Sequence, residues 1–161
     1  MPKSLPVPQA YRGVTPYLIV RDAARAIEFY TQAFGAKETM RLSGPEGKVG
    51  HAEMQVGSGA FMLADEHPQM GRLSPQHYGG TTVSMLFYVD DVDAQVAIAV
   101  AAGANLMRPV QDQFYGDRSG TMTDPFGHIW TIATHIEDVT PEEMHRRAAE
   151  LMKQMCDEQK K

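Results

Sequence analysis

Among 161 residues there is one cysteine, Cys156, which excludes an intramolecular disulfide and a thiolate metal cluster. Its neighbours are helical and charged in pattern, so it reads as an incidental surface thiol. Basic runs are missing too. Fifteen Lys and Arg stand against twenty Asp and Glu, for a net charge of −5. A nucleic-acid binder carries a concentrated basic patch, so no nucleic-acid partner is expected. The first residues, MPKSLPVPQAYRG, hold no apolar segment of the signal-peptide kind. No apolar run approaches the roughly 20 residues of a membrane span. The expectation is a cytoplasmic protein with no membrane partner. What is present in quantity is apolar: 43% of residues are hydrophobic and 8% aromatic, as in a globular chain. The eleven methionines mostly sit singly in apolar patterns, as adaptable core filler.

The order of elements comes from periodicity. Residues 1–13 form an N-terminal arm with three prolines. Residues 14–20 (VTPYLIV) read as a strand, with Pro16 at its start or on an edge. Asp22 caps a helix over 23–34, whose Ala26, Ile27, Phe29, Tyr30, Ala33 and Phe34 recur at helical spacing. Gly35 ends it. Strands follow at 37–42, 49–56 and 60–64, parted by glycine turns. The same order then repeats: strand 82–89, Asp91 and a helix over 92–102, Gly103, and strands 105–110, 119–123 and 128–134. Val20-Arg21-Asp22 matches Val89-Asp90-Asp91 at an offset of 69, and Gly50 and Gly57 match Gly120 and Gly127 at 70. A β-α-β-β-β unit is used twice, over 14–64 and 82–135. Residues 65–81 link the units as a candidate lid or interface segment. Thr140-Pro141-Glu142-Glu143 opens a C-terminal helix over 141–156, within an extension 136–161, with Thr140 and Glu143 as a capping box.

The doubled unit, the V-x-D helix caps and DPFGHIW near the end of the second unit resemble the glyoxalase/bleomycin-resistance/dioxygenase superfamily, also called vicinal oxygen chelate proteins. VTPYLIVRDAARAIEFY, DQFYGDRSG and DPFGHIWTIATHIEDVTPEE look most like its PhnB-like, glyoxalase-related branch. The resemblance implies an α+β fold of two tandem β-α-β-β-β units, with curled mixed sheets around a cleft, plus the C-terminal helix. It also implies a small-molecule ligand and a homodimer, sometimes with units paired across subunits.

Metal-using members of that superfamily take His, Gln or Glu ligands from the first and last strands of each unit. Seven residues before the capping aspartates stand Thr15 and Ser84. Four residues after the turn glycines stand Phe61 and Thr131, with Leu63 one dyad on. None is a good ligand for a divalent cation. No cofactor is therefore expected. The alternative is a rebuilt divalent-metal site on His51 and Glu53, two apart on one strand, with His135, Glu66 or His67 as a third ligand; that would serve a lyase, isomerase or dioxygenase.

Strand alternation places Thr15, Tyr17, Ser84, Leu86, Tyr88, Thr131 and Ala133 on the cleft side, with Phe61 and Leu63, and Val83, Met85, Phe87, Trp130 and Ile132 toward the helices. Tyr115 and Arg118, in FYGDR, resemble the aromatic-Gly-x-Arg run of bleomycin-resistance-type binders, where they would stack on a planar ligand and hold an anionic group. The bland reading is an ion pair of Arg118 with Asp91 or Asp124. His128 reads as a local hydrogen-bonder of its turn. Together these expectations describe a metal-independent small-molecule binder, with catalysis left open.

Overall fold

The computed structural model describes residues 6–8 and 11–158, so much of the N-terminal arm and the last three residues of the C-terminal extension lie outside the described residues. Eight strands and four α-helices follow the doubled order. The first unit holds β1 (Tyr17–Val20), α1 (Ala23–Phe34), β2 (Lys37–Ser43), β3 (Val49–Val56) and β4 (Gly59–Asp65). The short α2 (Pro75–Tyr78) lies in the linker. The second unit holds β5 (Ser84–Tyr88), α3 (Val92–Ala101), β6 (Asn105–Asp112), β7 (Asp117–Thr123) and β8 (Ile129–His135), and α4 (Pro141–Glu158) follows. Each unit is one mixed four-stranded sheet, in the orders β1-β4-β3-β2 and β5-β8-β7-β6. The first pairing of each is parallel and the other two are antiparallel.

The caps act as their sequence suggests. Asp22 accepts from the Arg25 amide at 3.0 Å, and Asp91 accepts from the Ala94 amide at 3.0 Å. Gly35, at φ 64°, closes α1 in the left-handed region, where a side chain is costly. One face of each sheet packs on α1 and α3, and the core lies between. Its centre is aromatic: Tyr30, Phe34, Phe61, Phe126 and Trp130 lie with ring centroids 4.8–6.1 Å apart. Side chains of this size contribute about 1.5–3 kcal/mol each when fully buried.

The expected strand starts shift inward for physical reasons. Pro16 has no N–H to pair, so β1 begins at Tyr17, although the Pro16 carbonyl still accepts from the Met62 amide. Thr81 captures the Val83 amide with its hydroxyl, so β5 begins at Ser84 and Val83 stays 62% exposed rather than joining the core. The linker is folded and pinned. Glu66 accepts from the amide and hydroxyl of Ser74, which holds its carboxyl below the usual range, and Gln76 donates to the Pro125 carbonyl. The capping box forms by half: Thr140 accepts from the Glu143 amide, but the Glu143 carboxylate turns to Arg146 and Arg147, which pull it down to about 2. The apolar stripe of α4 ends in the open, with Leu151, Met152 and Met155 exposed.

Candidate functional site

The face of each sheet turned away from the helices is the candidate site. In the second unit, Leu86 lies beside Thr131 and Met85 beside Trp130. Trp130 is core, so Ser84, Leu86, Tyr88 and Thr131 line the open face, as alternation predicts. Thr131 shares a 3.0 Å hydrogen bond with Thr121.

In the first unit, Tyr17 lies beside Met62 and Leu18 beside Leu63. Phe61 and Leu63 are therefore buried among the helices, not set on the open face. The hairpin at Gly57-Ser58-Gly59 is the cause. It is one residue longer between its glycine and the β1-paired position than the matching turn at Gly127. A shift of one residue turns a strand side chain to the opposite face. Met62, not Phe61, is the structural counterpart of Thr131.

The four positions are then Thr15, Met62, Ser84 and Thr131. Two alcohols of threonine, one of serine and a thioether do not fit a hard or borderline divalent cation. The alternative donors are tied elsewhere. His51 and Glu53 do share one face, but His51 Nδ1 meets the Tyr17 hydroxyl at 2.7 Å and Tyr11 donates to Glu53. That bond pushes the Tyr11 phenol up to about 12. Glu66 holds Ser74, and His67 pairs by its backbone with Arg72. His135 sits on the other sheet, against Asp117 and Asp138. Among the described residues, no three His, Cys, Asp or Glu side chains are arranged to hold a metal ion.

A cavity of about 560 Å³ lies between the units. Val14, Pro16, Phe61 and the 56–60 hairpin form one wall, and β5 forms the other. Residues from both faces of β5 contribute because it is an edge strand. Ser84, Leu86 and Tyr88 thus meet there, and Phe61 joins as part of the wall. Thr131 instead lines a separate groove of about 250 Å³ with Ser84 and Thr121, and Tyr17 lines a third cavity.

The FYGDR run divides. Tyr115 is partly exposed and packs edge-on against Phe114. Arg118 points to the helix side, where it grips Asp93 at 2.7 and 2.9 Å and Asp112 at 2.8 Å. Its partners are neither Asp91 nor Asp124, and it is turned away from the open face. Asp117 is nearly buried and accepts from the Tyr88 hydroxyl at 2.6 Å, which raises that phenol.

His128 does more than close its turn. Its amide donates to Asp124, while its ring meets the Ile19 carbonyl at 3.2 Å and so clamps β1 of the other unit. Burial lowers its pKa, against the pull of Asp124. Asp124 is the node that sequence reasoning missed. One carboxylate oxygen takes the Phe126 and His128 amides, and the other takes the Tyr30 hydroxyl at 2.7 Å and the Trp130 indole at 2.9 Å. The available signal was an aspartate opening a D-P-F-G turn beside a tryptophan on the next strand.

Comparisons with known proteins agree with this architecture. An uncharacterised protein of Mycobacterium bovis is 42% identical over 135 residues, covering 82% of this chain and 89% of its own. An uncharacterised protein of Arabidopsis thaliana is 30% identical over 124 residues, covering 73% and 74%. The crystal structure of TioX from Micromonospora sp. ML1 superposes with a TM-score of 0.60 at 28% identity, covering 77% of this chain and 100% of that one. The PhnB protein from Bacillus cereus shares the fold at 20% identity, with a TM-score of 0.58 over 76% of this chain and 99% of its own. The family model for the Glyoxalase/Bleomycin resistance protein/Dioxygenase superfamily matches residues 13–132, and the chain belongs to that superfamily.

Proposed function

We propose that this protein binds and sequesters a small, partly apolar molecule without a metal, as a cytoplasmic homodimer. The carrying observation is the content of the four positions that supply ligands in metal-using relatives. Thr15, Met62, Ser84 and Thr131 offer hydroxyls and a thioether, suited to hydrogen bonding and apolar contact. The cavity beside Ser84, Leu86 and Tyr88 has the volume of a small-ligand site. The dimer rests on exposed apolar side chains of the open faces. Leu86 and Tyr88 are each 56% exposed and Leu42 58%, more than an isolated chain gains from. A second copy would cover them. Arg118 has no place in this site, because its guanidinium is already spent on Asp93 and Asp112.

The test is elemental mass spectrometry of tag-free protein purified without chelator, with native mass measured on the same sample. Less than about a tenth of a metal ion per chain, even after incubation with Ni²⁺, Zn²⁺, Mn²⁺ and Fe²⁺, supports the reading, as does a two-chain mass. Near one ion per chain, lost in His51→Ala, would overturn it in favour of a metal-dependent lyase, isomerase or dioxygenase.

A further inference from the structure

On the open face of the first sheet, three side chains form a chain of contacts that the binding reading does not use. Glu53 and His51 stand two apart on β3 and so project together. His51 Nε2 lies 3.5 Å from a Glu53 carboxylate oxygen, and His51 Nδ1 lies 2.7 Å from the Tyr17 hydroxyl. An ionised carboxylate only accepts, so Nε2 carries the proton and Nδ1 is the acceptor for Tyr17. Tyr11 donates to the other Glu53 oxygen and fixes the carboxylate from behind. This is the order of groups in a hydroxyl–imidazole–carboxylate triad, with a phenol in the hydroxyl's place. His51 and Glu53 are each about four-fifths covered, at 20% and 21% side-chain exposure. Met40 and Leu42 lie directly across from Glu53 and His51 on β2 and make the flanks apolar.

Two further observations point to a substrate. Tyr17 also lines a cavity of about 330 Å³, with Ile19, Leu73, Tyr78 and Thr81, so one ring joins the triad to a space for a ligand. The Arg72 guanidinium stands 5.8 Å from the centre of the Tyr17 ring and forms no ion pair among the described residues. We propose that Tyr17, His51 and Glu53 form a metal-independent proton-transfer site, with Tyr17 touching the substrate and Arg72 facing the negative charge left on a substrate oxygen. The substrate class is a small, partly apolar compound with an acidic C–H whose electron pair ends on oxygen. The Tyr17 oxygen takes that proton as its own phenolic proton passes to His51 Nδ1, and Glu53 faces the imidazolium so formed. His51 then releases its extra proton to water. Thr15, Met62, Ser84 and Thr131 take no part.

The probe is 5-nitrobenzisoxazole, given to the full chain in excess chelator. Loss of its ring C–H proton forms the nitrile, breaks the N–O bond and leaves a coloured phenolate. The expected result is elimination above buffer that drops at least about tenfold in Tyr17→Phe and in His51→Gln, and is kept in His145→Gln on α4. Arg72→Ala should raise KM or lower kcat. Glu53→Gln should lower the plateau and move the pH–rate profile toward lower pH, which a merely structural role would not do. Tyr17→Phe keeps the ring and is the variant least prone to unfold. Elimination no faster than buffer, or a full rate in Tyr17→Phe, or an unmoved profile in Glu53→Gln, would overturn the proposal. A protein that only binds would pass the metal and mass tests and fail here, so the two readings are separately refutable.

Discussion

Replacing Asp124 by Asn tests whether a buried charge organises the junction of the two units. The carboxylate is 4% exposed and takes four hydrogen bonds, from two backbone amides, the Tyr30 hydroxyl and the Trp130 indole. In Asp124→Asn the amide oxygen can still serve Phe126 and His128. Its NH₂ then faces two donors. The Tyr30 hydroxyl can rotate to accept, but the indole N–H cannot. A buried donor left without a partner costs about 1–3 kcal/mol, and the remaining bonds lose their charge assistance, about 1 kcal/mol more. Removing a desolvated charge offsets part of this. The expected net loss is about 2 kcal/mol, a fall in Tm of about 4–8 °C for a chain of this size. Tyr30→Phe removes one charge-assisted bond and should cost about 1.5–3 kcal/mol. Urea unfolding of both single variants and the double variant measures the coupling. If Asp124→Asn is as stable as the parent while Tyr30→Phe is not, the charge does not organise the junction.

Two other outcomes follow from the same geometry. Gly116 has φ 95°, and an added Cβ would stand 2.1 Å from the Glu137 carbonyl oxygen; Gly116→Ala should therefore unfold at clearly lower urea and release the strap before α4, read as faster amide exchange at Ile136 and Glu137, whose amides bond to Gly116. An unchanged urea midpoint would refute it. His135 is raised by its bonds to Asp117 first and Asp138 second, so its stabilisation is full below the ordinary histidine range near about 6.5 and fades as pH rises through the raised value. His128 runs the other way, since burial lowers it and stability falls as pH falls. The clean measurement is the urea midpoint of the parent minus that of His135→Gln, which should be larger at acid than at alkaline pH; a difference constant with pH would count against the pairing.

The fold was legible because its signals are local and occur twice. Asp22 and Asp91 cap equivalent helices, the glycines recur at a near-constant offset, and alternation on β5 and β8 sorted Leu86 from Met85 and Thr131 from Trp130. The site was legible only where the repeat offset held. One extra residue in the 57–59 hairpin was enough to exchange Phe61 for Met62. Of the two readings of Arg118, the ion pair is the one that forms, but with Asp93 and Asp112, partners 25 and 6 residues away. The linker bond from Gln76 to Pro125 and the Tyr30 bond to Asp124 join residues 49 and 94 positions apart, which no periodicity reports.

The two sheets share no strand, and this bears on the kinetics of folding. The parallel pairing that completes each sheet joins residues the same distance apart, Tyr17 with Met62 and Tyr88 with Ala133, 45 positions in each case. The bonds across the units are longer in sequence: Gln95 to Ala33 spans 62 positions, Tyr30 to Asp124 spans 94 and His128 to Ile19 spans 109. Loop closure favours the shorter spans first. Each unit can thus condense on its own, and the aromatic junction closes last. A change at that junction, such as Tyr30→Phe, would then act on the rate of unfolding far more than on the rate of folding.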